Sequence, residues 1–134
     1  MLGQNPENIH QIAMSESQGL GKKGEELATE HLKKAGFRIL FRNWTWGKHE
    51  IDIIAENKDL VVFVEVKTRN EDFMMHPLTA ITTAKQKSII FAADGYIQKF
   101  KINKESRFDV ITIIKEADSF RIDHTEDAFY PTLR

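Results

Sequence analysis

The 134-residue chain has no cysteine, which excludes a disulfide framework and any thiolate zinc site. It has no apolar run near the ~20 residues that a membrane helix requires. Its first residues, MLGQNPENIHQ, hold no basic stretch followed by an apolar core, so they do not read as a secretory signal. The expected location is cytoplasmic, with no membrane partner. No internal repeat or low-complexity segment is visible. Net charge is also scarce, at −1, but that small sum hides a segregation. Residues 20–50 carry seven Lys or Arg against four acids, and residues 83–107 carry six against two. Residues 108–134 carry six acids against three bases. If the two basic segments share one side they would attract a phosphate backbone; otherwise they are two solvated helix faces.

What is present is an ordinary globular composition, 41% hydrophobic and 29% charged. A chain this long forms one domain and buries roughly two-thirds of its extended-chain surface. Residues 1–18 are polar and aperiodic and read as a flexible tail, leaving 19–134 as a single domain. LGKKGEELATEHLKKA (20–35) predicts a helix closed by Gly36, with an apolar stripe at Leu20, Leu27, Ala28, Leu32 and Ala35. On that helix Glu25 falls at the edge of the stripe, whereas Glu26 points to solvent. Strands follow at Phe37–Trp46, 50–55 and 60–67, then a loop over Thr68–Pro77. Thr83 and Gln86 form a capping-box pattern opening a second helix to about Lys99. RFDVITII (107–114) predicts a central strand and SFRIDH (119–124) a short edge strand. The order α-β-β-β-α-β-β, with one helix between Lys67 and Arg107, implies an α/β fold: a mixed five-stranded sheet flanked by helices.

Two of these strands carry charges in the wrong place. Asp52 interrupts EIDIIA (50–55), and Glu65 and Lys67 interrupt LVVFVEVK (60–67). An unpaired charge facing a sheet core costs several kcal/mol, on the order of a small domain's whole stability. Read as a hairpin with Asn57 and Lys58 at the tip, Glu56 pairs with Asp59, and Asp52 lies opposite Phe63 and diagonal to Glu65. Glu50, Asp52, Phe63, Glu65 and Lys67 then share one face. Ile51, Ile53, Val62, Val64 and Val66 take the other.

Two converging carboxylates suit a hard divalent cation, Mg²⁺ or Mn²⁺, with Asp52, Glu65 and the Val66 carbonyl as protein ligands. Lys67 is placed to orient water or face developing charge, and Glu25 to complete the shell or hold a water. As letters, Asp…Glu-x-Lys is a weak pattern, and an edge hairpin with a surface ion pair worth ~0–1 kcal/mol is the competing explanation. Val61, Phe63 and Ile54 on the charged face argue against a simply solvated surface. Candidate nucleic-acid contacts from the basic segments are Lys22, Lys23, Arg42, Lys48, Lys85 and Gln86, the last two opening the second helix.

Other matches carry less. Gly19-x-Gly21-x-x-Gly24 follows no strand, so it is not a dinucleotide fingerprint. His49-Glu50 lacks the second histidine of a zinc-protease helix. His10, His31, His49, His76 and His124 show no ligand spacing. Trp44 and Trp46 are better read as core or rim than as base-stacking platforms.

Six strings in order, 21-GKKGEELA-28, 42-RNW-44, 50-EIDIIA-55, 63-FVEVKTR-69, 85-KQ-86 and 107-RFDV-110, resemble the YraN family of small bacterial proteins (uncharacterised protein family 0102). The resemblance runs from about Gly21 to Phe129. It implies a restriction-endonuclease-like fold, similar to archaeal Holliday-junction resolvases, and a metal-dependent nuclease. Glu25 matches the helix glutamate, Asp52 the strand aspartate, and Glu65 with Lys67 the Glu-x-Lys pair. Where the family usually has glycine before Glu-Ile-Asp, this chain has His49, with Gly47 two residues earlier. The expected function is a Mg²⁺- or Mn²⁺-dependent endonuclease acting on DNA rather than RNA in repair or recombination, on branched or single-stranded substrates. The alternative is a non-catalytic nucleic-acid-binding or adaptor module. A homodimer would suit cleavage of both strands.

Overall fold

A computed structural model describes residues 6–70 and 81–131, with side chains from residue 19 onward. The elements are α1 (Pro6–Lys34), β1 (Arg38–Trp46), β2 (His49–Glu56), β3 (Leu60–Asn70), α2 (Thr83–Phe100), β4 (Glu105–Glu116) and β5 (Ser119–Phe129). They form one five-stranded sheet in the order β1-β2-β3-β4-β5. Every neighbouring pair is antiparallel except β3 and β4, which run parallel over Leu60–Asn70 and Glu105–Glu116. The mixed α/β architecture is the one the sequence pattern implies.

Helices α1 and α2 cover opposite faces. Ala28 and Leu32 of α1 pack on Ile53, Ala55, Val62, Val64, Ile111 and Ile113. Ile89, Ala92, Ala93 and Tyr96 of α2 pack on Ile54, Val61, Phe63, Phe108 and Val110. Burying a side chain as large as Phe63 contributes ~1.5–3 kcal/mol, so these alternating residues set which way each strand faces. The two basic segments therefore lie on opposite sides of the sheet.

Gly36 closes α1 with φ of +97°, and Phe37 N–H reaches Leu32 O at 3.0 Å while Gly36 N–H reaches Lys33 O at 3.0 Å. This is the double bond of a glycine-terminated helix, as expected from the sequence. Other boundaries differ. α1 begins at Pro6 rather than at residue 20: nothing between residues 7 and 18 is Gly or Pro, and proline suits a helix's first turn. Of the tail assigned to 1–18, residues 1–5 lie outside the described residues, and so do 71–77 of the loop. The loop starts later than expected because Thr68, Arg69 and Asn70 continue the ladder against Ile113, Ile114 and Lys115. Thr82, not Thr83, caps α2, accepting the Lys85 N–H at 3.1 Å. β5 reaches Phe129 instead of ending at His124, carried past a register shift near Asp127, whose φ is +54°.

The β2–β3 hairpin also needs correction. Its ladder pairs Glu56 with Val61, Ala55 with Val62, Ile54 with Phe63 and Ile53 with Val64. Asn57 N–H bonds Leu60 O at 2.9 Å, and the Asn57 side chain accepts the Asp59 N–H at 3.0 Å. That asparagine turn puts Lys58 and Asp59 at the tip, one residue beyond the expected position. Every pairing slides by two, so the parity of β3 survives. On β2 it does not. Ile51 packs beneath α2 with Ile54, while Ile53 packs beneath α1. The neighbours of Asp52 thus lie on opposite faces, and strict alternation breaks there.

A carboxylate cleft at the splayed end of β2 and β3

The break at Asp52 makes the site. The ladder between β2 and β3 stops at Ile53 and Val64. The next amide that could reach β2, Val66 N–H, donates instead to Asp52 Oδ2 at 2.8 Å. A side chain thus takes a bond that backbone would otherwise make, and holds the carboxylate in the gap between the two strands. Glu65 lies one residue before that amide, on the α2 side with Val61 and Phe63, and is almost fully buried.

Around these two acids opens a cleft of about 510 Å³ lined by Leu20, Gly21, Glu25, Asp52, Glu65 and Val66–Asn70. Gly24 lets α1 approach: a Cβ there would collide with Thr68 Oγ1. Glu25 faces the cleft from α1, with its Oε1 3.3 Å from Asn43 Nδ2 and 3.6 Å from an Arg42 nitrogen. Glu26 is exposed, as the helical-face reading requires. Lys67 Nζ lies 3.3 Å from Glu65 Oε2, and Lys85 Nζ, from the first turn of α2, lies 4.0 Å from the same oxygen. Glu65 Oε1 is buried with no hydrogen-bond partner.

Electrostatics follow from this crowding. Burial pushes the Asp52 carboxyl up to about 7, and repulsion from Glu65 adds to it. The Val66 N–H opposes the shift, whereas Glu25 and a hydrogen bond with the Glu65 side chain reinforce it. A carboxyl raised toward neutrality beside a buried carboxylate oxygen without a partner is an arrangement that a cation would fit. The oxygens of Asp52, Glu65 and the Val66 carbonyl are the hard donors that suit a small divalent cation. Among the described residues no three Asp, Glu or His side chains are grouped to hold a metal ion. Such an ion would therefore depend on two carboxylates, one backbone carbonyl and water.

The sequence-predicted residues are brought together unevenly. Asp52, Glu65, Val66 and Lys67 converge, with Glu25 across the cleft and Lys85 at Glu65. Lys22, Lys23 and Lys48 are exposed, Arg42 is engaged with Glu25, and the Gln86 side chain donates to Ile81 O at 3.2 Å within the α2 cap. Glu50 is exposed and outside the cleft. His49, at the position where glycine is usual, ties β2 to α2 through Ser88 Oγ at 2.6 Å and meets the Phe91 ring at a tilt of 59°. Trp44 and Trp46 stack on each other, and Trp46 fills the space over Gly95, which agrees with the core-or-rim reading. A larger groove of about 650 Å³ along α2, past Phe91, Phe108 and Tyr130, holds one carboxylate, Asp94. The acid chemistry resides in the smaller cleft.

Sequence reasoning missed a second ionic cluster. Asp109 of β4 is wholly buried and accepts two bonds from Arg107, at 2.8 Å each, one from His124 Nε2 at 2.8 Å and one from Asp127 N–H at 3.1 Å. His31 Nε2 lies 3.0 Å from His124 Nδ1. The signal was available: Asp109 interrupts an apolar run just as Asp52 does.

No described helix is long and apolar enough to cross a membrane. In comparisons with known proteins, the model of Uncharacterised protein family UPF0102 matches residues 24–113. A UPF0102 protein of Parabacteroides distasonis is 45% identical over 121 residues, covering 90% of this chain and 100% of its own. One from Bacteroides thetaiotaomicron is 44% identical over 120 residues, covering 90% and 99%. One from Flavobacterium psychrophilum is 44% identical over 117 residues, covering 87% and 98%.

Proposed function

The chain belongs to uncharacterised protein family UPF0102, and within it we propose that this protein is a divalent-metal-dependent DNA endonuclease of the restriction-endonuclease-like class. The observation that carries this reading is the pair of crowded carboxylates, Asp52 and Glu65, with Glu65 Oε1 stranded and Lys67 3.3 Å from its other oxygen. Asp52, Glu65 and the Val66 carbonyl would hold Mg²⁺ or Mn²⁺, which when bound supplies charge neutralisation at the phosphate and a more acidic water.

The residues of the chain do the rest. Lys67 presents an ammonium to the phosphate oxygen on which charge grows. Glu25, fixed by Asn43 and Arg42, accepts a hydrogen bond from water in the cleft. The Val66 N–H keeps Asp52 turned toward β3. Each turnover consumes one water: its oxygen bonds to phosphorus, one P–O ester bond breaks, and its proton ends on the leaving oxygen. The products are a phosphomonoester and a hydroxyl. The two basic helices lie on opposite faces of the sheet, so Lys22, Lys23, Arg42, Lys48 and Gln86 are proposed as separate contacts to the rest of the DNA and not as one basic face. We assign the protein to repair or recombination in the cytoplasm, on branched or single-stranded DNA, as a homodimer.

The test incubates purified protein with linear, flapped and four-way DNA in Mn²⁺, beside Glu65→Ala and Lys67→Ala. Cleavage by the wild type with losses of ~100-fold or more in both variants is expected. Equal cleavage by all three, or none by any, ends the nuclease reading. One observation favours a second reading, a non-catalytic DNA-binding or adaptor module: among the described residues no three Asp, Glu or His side chains are grouped to hold a metal ion. Salt-sensitive DNA binding without metal-dependent turnover would select it.

A further inference from the structure

Lys85 stands in an electrostatically unfavourable place. It is the third residue of α2, in a first turn that holds no acid, where the helix dipole already presents positive charge. A cation there is disfavoured unless something negative answers it. Glu65 answers only in part. Lys85 Nζ is 4.0 Å from Glu65 Oε2, an ion-pair distance beyond hydrogen-bond reach, and Lys67 already lies closer to that oxygen, at 3.3 Å. Among the described residues the Lys85 ammonium makes no hydrogen bond, so its three donors remain available. Its side chain is 40% exposed, half sheltered beside the carboxylates and half open to whatever approaches them.

Two ammoniums therefore converge on one buried carboxylate from different layers, Lys67 from the sheet and Lys85 from α2. One would suffice as counter-ion. Both ammoniums face Glu65 Oε2, and Lys85 keeps an exposed side that an anion can reach. Lys87, two residues on, is exposed and lines the separate groove along α2, so it contributes only diffuse charge.

We infer that Lys85 is a second phosphate-binding lysine of the site: a non-bridging oxygen of the reacting phosphodiester sits between the Lys67 and Lys85 ammoniums. This rests on the nuclease reading for its consequence, but not for its test. The substrate is thereby fixed at its phosphate rather than at a base.

The experiment titrates 5′-phosphorylated dithymidine into the full chain in EDTA, following lysine side-chain NMR resonances, for wild type, Lys85→Ala, Lys85→Arg and Lys87→Ala. Circular dichroism confirms folding of each. Binding by the wild type is expected to weaken at least tenfold in Lys85→Ala, and less than threefold in Lys85→Arg and Lys87→Ala. No binding by the wild type, no change in Lys85→Ala, or equal losses in Lys85→Ala and Lys87→Ala overturns the inference. A parallel Mn²⁺ cleavage assay separates the two ideas. Lys85-dependent binding without any cleavage removes the nuclease reading and leaves this one. Cleavage at wild-type kcat in Lys85→Ala removes this one and leaves the nuclease.

Discussion

Asp52 and Asp109 are both buried aspartates that interrupt apolar strands, and they meet opposite treatment. At Asp109, burial alone would raise the carboxyl, but hydrogen bonds from His124, Arg107 and the Asp127 N–H outweigh it and hold the group below its ordinary value. At Asp52 a single backbone N–H opposes burial and the nearby charges of Glu65 and Glu25, and the carboxyl rises to about 7. The first acid is saturated with donors by its own fold. The second is crowded with acceptors. A buried charge that the chain satisfies by itself is architecture, whereas one crowded by other acids is a candidate binding position.

The contrast can be broken at its stronger side first. Asp109→Ala leaves Arg107 and His124 without their acceptor. It should destabilise the fold by ~3–5 kcal/mol, as expected for one partner of a buried ion pair. Urea unfolding measures this, and a loss under ~1 kcal/mol would dissolve the distinction.

Next comes the sign at Asp52. Its folded carboxyl keeps a proton between 3.8 and about 7 that the unfolded chain has released. The stability linked to it is therefore present below 3.8 and lost as pH rises through about 7. Each unit is ~1.4 kcal/mol at most, and partial solvation reduces the total to ~1–3 kcal/mol. Asp52→Asn, unfolded in urea with EDTA, should exceed the parent by that amount at pH 8 and match it at pH 4. An equal offset at both pH values would show that charge is not the cause.

The smallest effect is expected at Gly24. Glycine to alanine inside a helix ordinarily gains ~1 kcal/mol, but here the new Cβ meets Thr68 Oγ1. Gly24→Ala alone should gain nothing or lose ~1 kcal/mol, whereas the same change in a Thr68→Ala background should show the normal helical gain. Thermal midpoints of the four chains decide it.

Much of this was legible in the residues. Apolar periodicity gave the elements and their order, and Leu27, Ala28 and Leu32 fixed the helical phase that separates Glu25 from Glu26. Parity placed Glu65 and Lys67 with Phe63. Register was not legible, because the tip depends on whether one side chain, Asn57, closes on the Asp59 N–H. Nor was the flip at Asp52, since alternation in letters assumes a strand paired along its whole length, and β2 joins β3 only from Ile53 onward. Partners such as Lys85 and Glu65, or His31 and His124, come from elements remote in sequence, and no spacing rule joins them.

The short ladder between β2 and β3 also has a consequence in time. Only four residues of each strand pair in the hairpin, so a chain made as far as Asn70 can close that turn without fixing Glu65 or Lys67. Those residues are held by β4, through Glu65 against Val110 and Lys67 against Thr112. Such long-range parallel pairing must wait for the crossover helix and pays a larger closure entropy. During synthesis the cleft is therefore assembled late, once roughly the whole domain has left the ribosome. A chain that ends at Asn70 carries Glu25, Asp52, Glu65 and Lys67 without the strand that holds the last two in place.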